Sequence, residues 1–162
     1  MNKTDMSKII FLDFDGVITT LKSNWHLDKG KMEMVKQICD ATGAKIVISS
    51  SWRRYTLEQT LELITTKQIE KKRPPFLYPE DVIGITARMY AFKSGNRENH
   101  YSLYRGVEIE QWLSEHQDVT NYVILDDDSD MLLCQKKNFI KTHAFRGISK
   151  CDVERAINIL TQ

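Results

Sequence analysis

Nowhere in this chain do about 18 apolar residues run together, so no membrane-spanning helix is predicted. No long apolar run precedes Asp13 either, and a secretory leader is not expected. The three cysteines, Cys39, Cys134 and Cys151, are odd in number and form no C-x-x-C, which argues against a disulfide framework and against a zinc ribbon. They read as buried free thiols of a reducing compartment, and a cytoplasmic protein with no membrane partner is expected. An excess of one charge is missing too. With 23 Lys and Arg against 22 Asp and Glu, the net charge of +1 creates no global basic field, so any nucleic-acid contact must come from a local patch. The four histidines, His26, His100, His116 and His143, have no metal-ligand spacing, and no internal repeat or low-complexity segment occurs. What remains is a 162-residue chain, 41% hydrophobic, that suits one domain over residues 1–162.

The most informative stretch is Lys8-Ile9-Ile10-Phe11-Leu12-Asp13-Phe14-Asp15-Gly16-Val17. Four consecutive apolar residues predict a strand buried on both faces, running from about Lys8 to Phe14. Alternation along such a strand would point Asp13 and Asp15 the same way. Two like charges at the rim of an apolar core are costly unless a cation lies between them, and a hard divalent ion with oxygen ligands fits best. A magnesium site is therefore expected here, with Gly16 turning the chain sharply away.

Further along, Leu27, Met34, Val35, Ile38 and Cys39 recur at helical spacing before the stop at Gly43. Lys45-Ile46-Val47-Ile48 is a second apolar run, and it empties into Ser49-Ser50-Ser51-Trp52-Arg53-Arg54. Strand, helix, strand implies a right-handed parallel crossover. A capping box at Thr56 to Gln59 opens another helix that should fade near Lys71, and after Pro74, Pro75 and Pro79 a third strand is predicted over Val82 to Thr86. Residues 88–105 lack periodicity and mix Arg88, Lys93, Arg97 and Arg105 with Tyr90, Phe92, Tyr101 and Tyr104, a composition suited to phosphate contact and base stacking, or to an ordinary loop folded on the domain. A helix from about Val107 to His116 leads to the strand Tyr122-Val123-Ile124-Leu125 and then to Asp126-Asp127-Asp128-Ser129-Asp130. A weaker strand over Phe139 to Phe145 and a closing helix capped near Ser149 complete the chain. Alternating strands and helices predict a parallel sheet covered on both sides, with ligands at the carboxyl ends of the strands.

Those ends carry Asp13, Asp15, Ser49 and the cluster at 126–130. Carboxylates with one serine and no histidine suggest an ion-dependent phosphate site, in which Asp13 attacks phosphorus and magnesium offsets charge repulsion. Asp15, about 6 to 7 Å along the strand, is placed to protonate a leaving oxygen and then activate water.

On these residues the chain resembles the haloacid dehalogenase (HAD) superfamily of phosphatases. The apolar strand followed by Asp13-Phe14-Asp15-Gly16 is similar to the first motif of that family, which implies Asp13 as the nucleophile of an aspartyl-phosphate and Asp15 as acid/base. The second motif falls on Ser49, with Ser50 as the fallback. The paired acids Asp126-Asp127 match the fourth, with Asp127 favoured as the acid reaching magnesium, Asp126 close behind and Asp130 in support. The third motif, a basic residue near the start of the preceding helix, is assigned to Arg105, with Lys93, Arg97 and Arg88 as alternatives. The resemblance implies a three-layer α/β/α Rossmann-like fold with a mainly parallel five-stranded sheet. More narrowly, Ser49-Ser50-Ser51-Trp52-Arg53, Arg105-Gly106-Val107-Glu108-Ile109 with Trp112-Leu113, and Val123-Ile124-Leu125-Asp126-Asp127-Asp128 look like the small phosphatase domains associated with RNA repair, implying a phosphate at an RNA or DNA end as substrate. Only about 30 residues separate Asp15 from the second strand, so no large cap is expected. A binding module that keeps the fold without turnover is the alternative. Trp52 could wall the pocket, and Arg53 and Arg54 read equally well as a second phosphate contact or as a solvated helix start.

Overall fold

The computed structural model describes residues 8–92 and 100–162. In chain order its elements are β1 (Lys8–Leu12), α1 (Lys29–Thr42), β2 (Lys45–Ile48), α2 (Leu57–Ile64), α3 (Thr66–Glu70), β3 (Val82–Ile85), β4 (Tyr90–Phe92), β5 (His100–Ser102), α4 (Arg105–Glu115), β6 (Asn121–Asp126), β7 (Phe139–Lys141) and α5 (Lys150–Thr161). Short 3-10 turns at Pro79–Asp81 and Leu133–Asn138 lead into β3 and β7.

Five strands form one all-parallel sheet in the order β3-β2-β1-β6-β7, the three-layer Rossmann-like arrangement expected from the alternation of elements. The apolar runs fill it because each is buried on both faces. Ile10 and Leu12 join Ile46, Ile48, Val123 and Leu125 on the side covered by α1 and α5, through Val35, Ile38, Val153 and Ala156. Ile9, Phe11, Val47 and Ile124 face the other way, onto Ile109 and Trp112 of α4. That is the strand alternation, read out as two cores.

Local signals set the helix boundaries. Asp28 caps α1 by accepting from Lys31 N, and Gly43 closes it with φ +74. Ser149 and Asp152 form a reciprocal capping box on α5. Among the described residues no helix is long and apolar enough to cross a membrane.

The structure corrects several boundaries. β1 stops at Leu12 rather than Phe14, because the Phe14 carbonyl accepts from the amides of Val17, Ile18 and Thr19 and bends the chain into a turn. β7 ends at Lys141, well short of Phe145, since residues 143–147 close a turn in which Gly147 has φ +71. The stretch read as aperiodic contains the antiparallel pair β4 and β5, with Tyr90 opposite Ser102. Of the basic residues considered there, Lys93 and Arg97 lie outside the described residues.

Candidate active site

The strand order places β1 between β2 and β6, where the sheet switches direction of growth, and crevices in parallel sheets open at such points. The ladder continues one residue beyond each strand. Asp13 N donates to Leu125 O at 3.0 Å, Ser49 N to Leu12 O at 3.1 Å, Thr86 N to Ile48 O at 3.0 Å and Thr142 N to Asp126 O at 2.9 Å. These bonds fix Asp13, Ser49 and Asp126 side by side on one edge although they are far apart in the chain.

Asp13, Asp126 and Asp127 each offer an oxygen within 4.8 Å of the others, a group able to hold a metal ion. Asp13 and Asp126 are buried, and Arg105 Nη1 reaches both, 2.7 Å from Asp13 Oδ1 and 3.0 Å from Asp126 Oδ2. Of the described basic residues that are candidates for this place, Arg105 is therefore the one that meets Asp13. Its placement is built by α4: it is the first helical residue, and its backbone N–H donates to Asp130 Oδ2 at 2.9 Å. Arg88, the alternative, instead donates to the carbonyls of Ser51 and Arg53.

The electrostatics show one cation serving too many anions. Burial, then the neighbouring Asp126, pushes the Asp13 carboxyl well above its ordinary range, with Arg105 pulling the other way. Burial lifts Asp126 to about 6 despite Arg105. Burial opposes the charge of Arg105, but Asp13 and Asp126 outweigh it and raise its pKa. Two buried carboxyls with raised pKa values beside a third acid are a donor set that suits a hard divalent cation.

Two serines stand at the end of β2, and the structure separates them. Ser50 Oγ is occupied, accepting from Trp52 N at 3.2 Å. Ser49 Oγ is buried and, among the described residues, has no hydrogen-bond partner. A buried hydroxyl without a partner is costly, and a phosphoryl oxygen would satisfy it.

Asp15 behaves differently from the strand-alternation expectation. β1 has already ended, so Asp13 is buried while Asp15 is exposed, and its carboxylate lies outside the three-acid group. Its Oδ1 accepts from Thr19 Oγ1 at 2.8 Å and from Trp52 Nε1 at 3.2 Å. Trp52 packs on Phe14, ring centroids 5.4 Å apart, which holds the indole at the rim. Gly16 completes the turn with φ +77, and a Cβ there would sit 2.4 Å from Asp127 Oδ2, so only glycine permits this approach.

Two further residues shape the site. Arg53, for which the sequence allows a second phosphate contact or a solvated helix start, is buried: it donates to Ser50 O at 2.7 Å, to Thr86 and to Glu108 Oε1 at 3.2 Å. Glu108 Oε2 accepts from Met89 N at 2.8 Å. This buried pair joins the serine loop, the end of β3 and α4, one helical turn from Arg105. The acidic residue inside an otherwise inward-facing helical stripe was the available sequence signal.

A family model described as the HAD domain in Swiss Army Knife RNA repair proteins matches residues 9–153, nearly the whole chain. No curated protein and no solved structure matches significantly.

Proposed function

This chain belongs to the family of HAD domains found in Swiss Army Knife RNA repair proteins, a family of phosphatase-type hydrolases, and from that membership we propose a magnesium-dependent phosphomonoesterase working through an aspartyl-phosphate on Asp13. The observation that carries this reading is the convergence of Asp13, Asp126, Asp127 and Arg105 beside the unpartnered hydroxyl of Ser49.

Asp13, Asp126 and Asp127 would hold the ion, which supplies positive charge that keeps the acids ionised and offsets the phosphate's. Ser49 Oγ donates to a phosphoryl oxygen, and Arg105 neutralises charge shared between nucleophile and phosphate. A carboxylate oxygen of Asp13 bonds to phosphorus as the ester P–O bond breaks, and Asp15 gives its proton to the departing oxygen. Water then attacks the same phosphorus, Asp15 takes its proton, the Asp13–phosphorus link breaks and inorganic phosphate leaves. Thr19 and Trp52 both bind Asp15 Oδ1, which leaves Oδ2 to exchange the proton.

The substrate we infer is a phosphate at a nucleic-acid end or on a nucleotide, in a single domain without a large cap. The short interval between Asp15 and β2, spent on a turn and α1, supports an open site for a bulky substrate. Hydrolysis of p-nitrophenyl phosphate tests the reaction: wild type should turn over with magnesium and stop with a chelator, and Asp13→Asn should lose at least about 1,000-fold. Equal rates for wild type and Asp13→Asn would refute it, and binding without turnover by wild type would leave a silent recognition module.

A further inference from the structure

Beside the acids a cavity of about 170 Å³ is lined by Ser51, Arg88, Arg105 and Asp130, and it shares Arg53, Arg88 and Tyr90 with a larger cavity of about 660 Å³. The two cavities are neighbours across these shared walls, and Arg105 lines the smaller one. The larger cavity is walled by Arg53, Arg54, Tyr55, Ile85, Arg88 and Tyr90, and no acidic residue among the described residues lines it. Its volume lies within the range of ligand sites and is ample for a nucleotide.

The side chains of this cavity differ in how far they are committed. Arg53 spends its guanidinium inside the fold, on Ser50, Thr86 and Glu108. Arg88 uses Nη2 on the carbonyls of Ser51 and Arg53, and among the described residues the Arg54 guanidinium makes only long contacts, 3.4 to 3.5 Å, with the carbonyls of Trp52 and Arg53. Among the described residues no carboxylate pairs with Arg54 or Arg88. Two arginines held on backbone carbonyls therefore present positive charge to the cavity. Tyr55 is 97% exposed, a large ring left in water at the lip. Isolated exposed apolar groups are ordinary, but an aromatic ring bordering an arginine-lined cavity is the pairing that receives a base and its phosphate.

We propose that this cavity is a strand subsite: with the terminal phosphate at Asp13, the next nucleotides of an unpaired nucleic-acid end lie along Arg88 and Arg54, with a base stacked on Tyr55. The assignment rests on the phosphatase reading above. An unpaired end is specified because Tyr55 can stack only on a base face freed from its neighbours.

The test uses single-stranded RNA hexamers carrying a 5′- or a 3′-phosphate, with p-nitrophenyl phosphate as a substrate too small to reach the cavity. Tyr55→Ala removes no packing, since the ring is in solvent. It should lower the ratio of kcat/KM for a hexamer to that for p-nitrophenyl phosphate by about tenfold, carried by KM. Fluorescence anisotropy with Asp13→Asn should show about tenfold weaker binding of the labelled hexamer when Tyr55→Ala or Arg54→Ala is added, and weaker binding of a blunt duplex than of the single strand. An unchanged ratio and unchanged hexamer affinity would overturn the subsite, as would equal losses on both substrates. Tighter binding of a phosphoserine peptide than of RNA would also overturn it. If wild type turned over no phosphomonoester while the anisotropy losses held, the phosphatase reading would fail and the strand subsite would stand.

Discussion

Gly106 is the position where a single methyl group tests how the site is built. It is the second residue of α4, adjacent to Arg105, and lies in ordinary helical backbone. At an open helical position Ala in place of Gly would stabilise by up to about 1 kcal/mol. Here a Cβ would meet Leu132 N at 2.6 Å, Gln135 Oε1 at 2.6 Å and Met131 Cα at 2.9 Å. Two of those three are backbone atoms, which cannot rotate away. Overpacking of this kind costs about 1 to 3 kcal/mol. The displacement also strains two bonds that pin α4 to the loop after β6, Leu132 N to Gln135 Oε1 at 2.9 Å and Gln135 Nε2 to Gly106 O at 2.8 Å, each contributing about 1 kcal/mol. The clash outweighs the propensity gain, and Gly106→Ala should lose about 2 kcal/mol, roughly 4 to 8 °C in Tm. Because Arg105 is the neighbouring residue, its guanidinium should shift off Asp13 and Asp126, and turnover of p-nitrophenyl phosphate should fall at least about tenfold. Urea denaturation and a steady-state assay check both numbers. Gly30→Ala is the matched control: its nearest neighbour is a side-chain oxygen of Asp28 at 3.4 Å, so it should be neutral or slightly stabilising. Equal behaviour of the two variants would refute the claim that close approach of α4 to the 131–132 backbone sets Arg105.

Ser49→Ala should cut turnover about 100-fold while leaving urea stability unchanged or raised by up to about 1 kcal/mol, because the hydroxyl has no partner to lose, whereas Ser50→Ala forfeits the bond from Trp52 N and should cost about 1 kcal/mol; the reverse ordering of the two stabilities would refute the assignment. Asp126, raised to about 6, binds its proton more tightly folded than unfolded, so in the presence of a chelator its contribution to stability should be complete below about pH 4 and should be lost, on the order of 3 kcal/mol, as pH rises through 6. Asp126→Asn should flatten that decline, and millimolar magnesium should raise Tm more at pH 7.5 than at pH 5; urea melts and thermal scans across pH check both.

Much of the frame was legible because burial is written locally. The runs at Ile9 to Leu12, Ile46 to Ile48 and Val123 to Leu125 are too continuous for a half-exposed sheet, and they became the three central strands. Caps at Asp28, Thr56 and Ser149 mark helix starts with the side chains that satisfy their first amides. Two features depart from the local pattern. Strand alternation predicts Asp13 and Asp15 on one face, but the carbonyl of Phe14 captures three amides and ends the strand. Arg53 and Arg54 look alike in sequence, yet one is buried on Glu108 and the other is exposed, a difference made by partners 33 to 55 residues away.

The sequence by itself determined the alternation of elements, the acids and serine that end the strands, and the glycine after Asp15, since each depends on neighbours within a few residues. Only the tertiary structure decided that Asp13, Asp126 and Asp127 share one space, that Arg105 rather than Arg88 reaches Asp13 and Asp126, and that Asp15 stands apart on Thr19 and Trp52. Those outcomes rest on strand order and on how closely α4 approaches the loop after β6. Both are fixed by packing between segments distant in the chain, which no local pattern encodes.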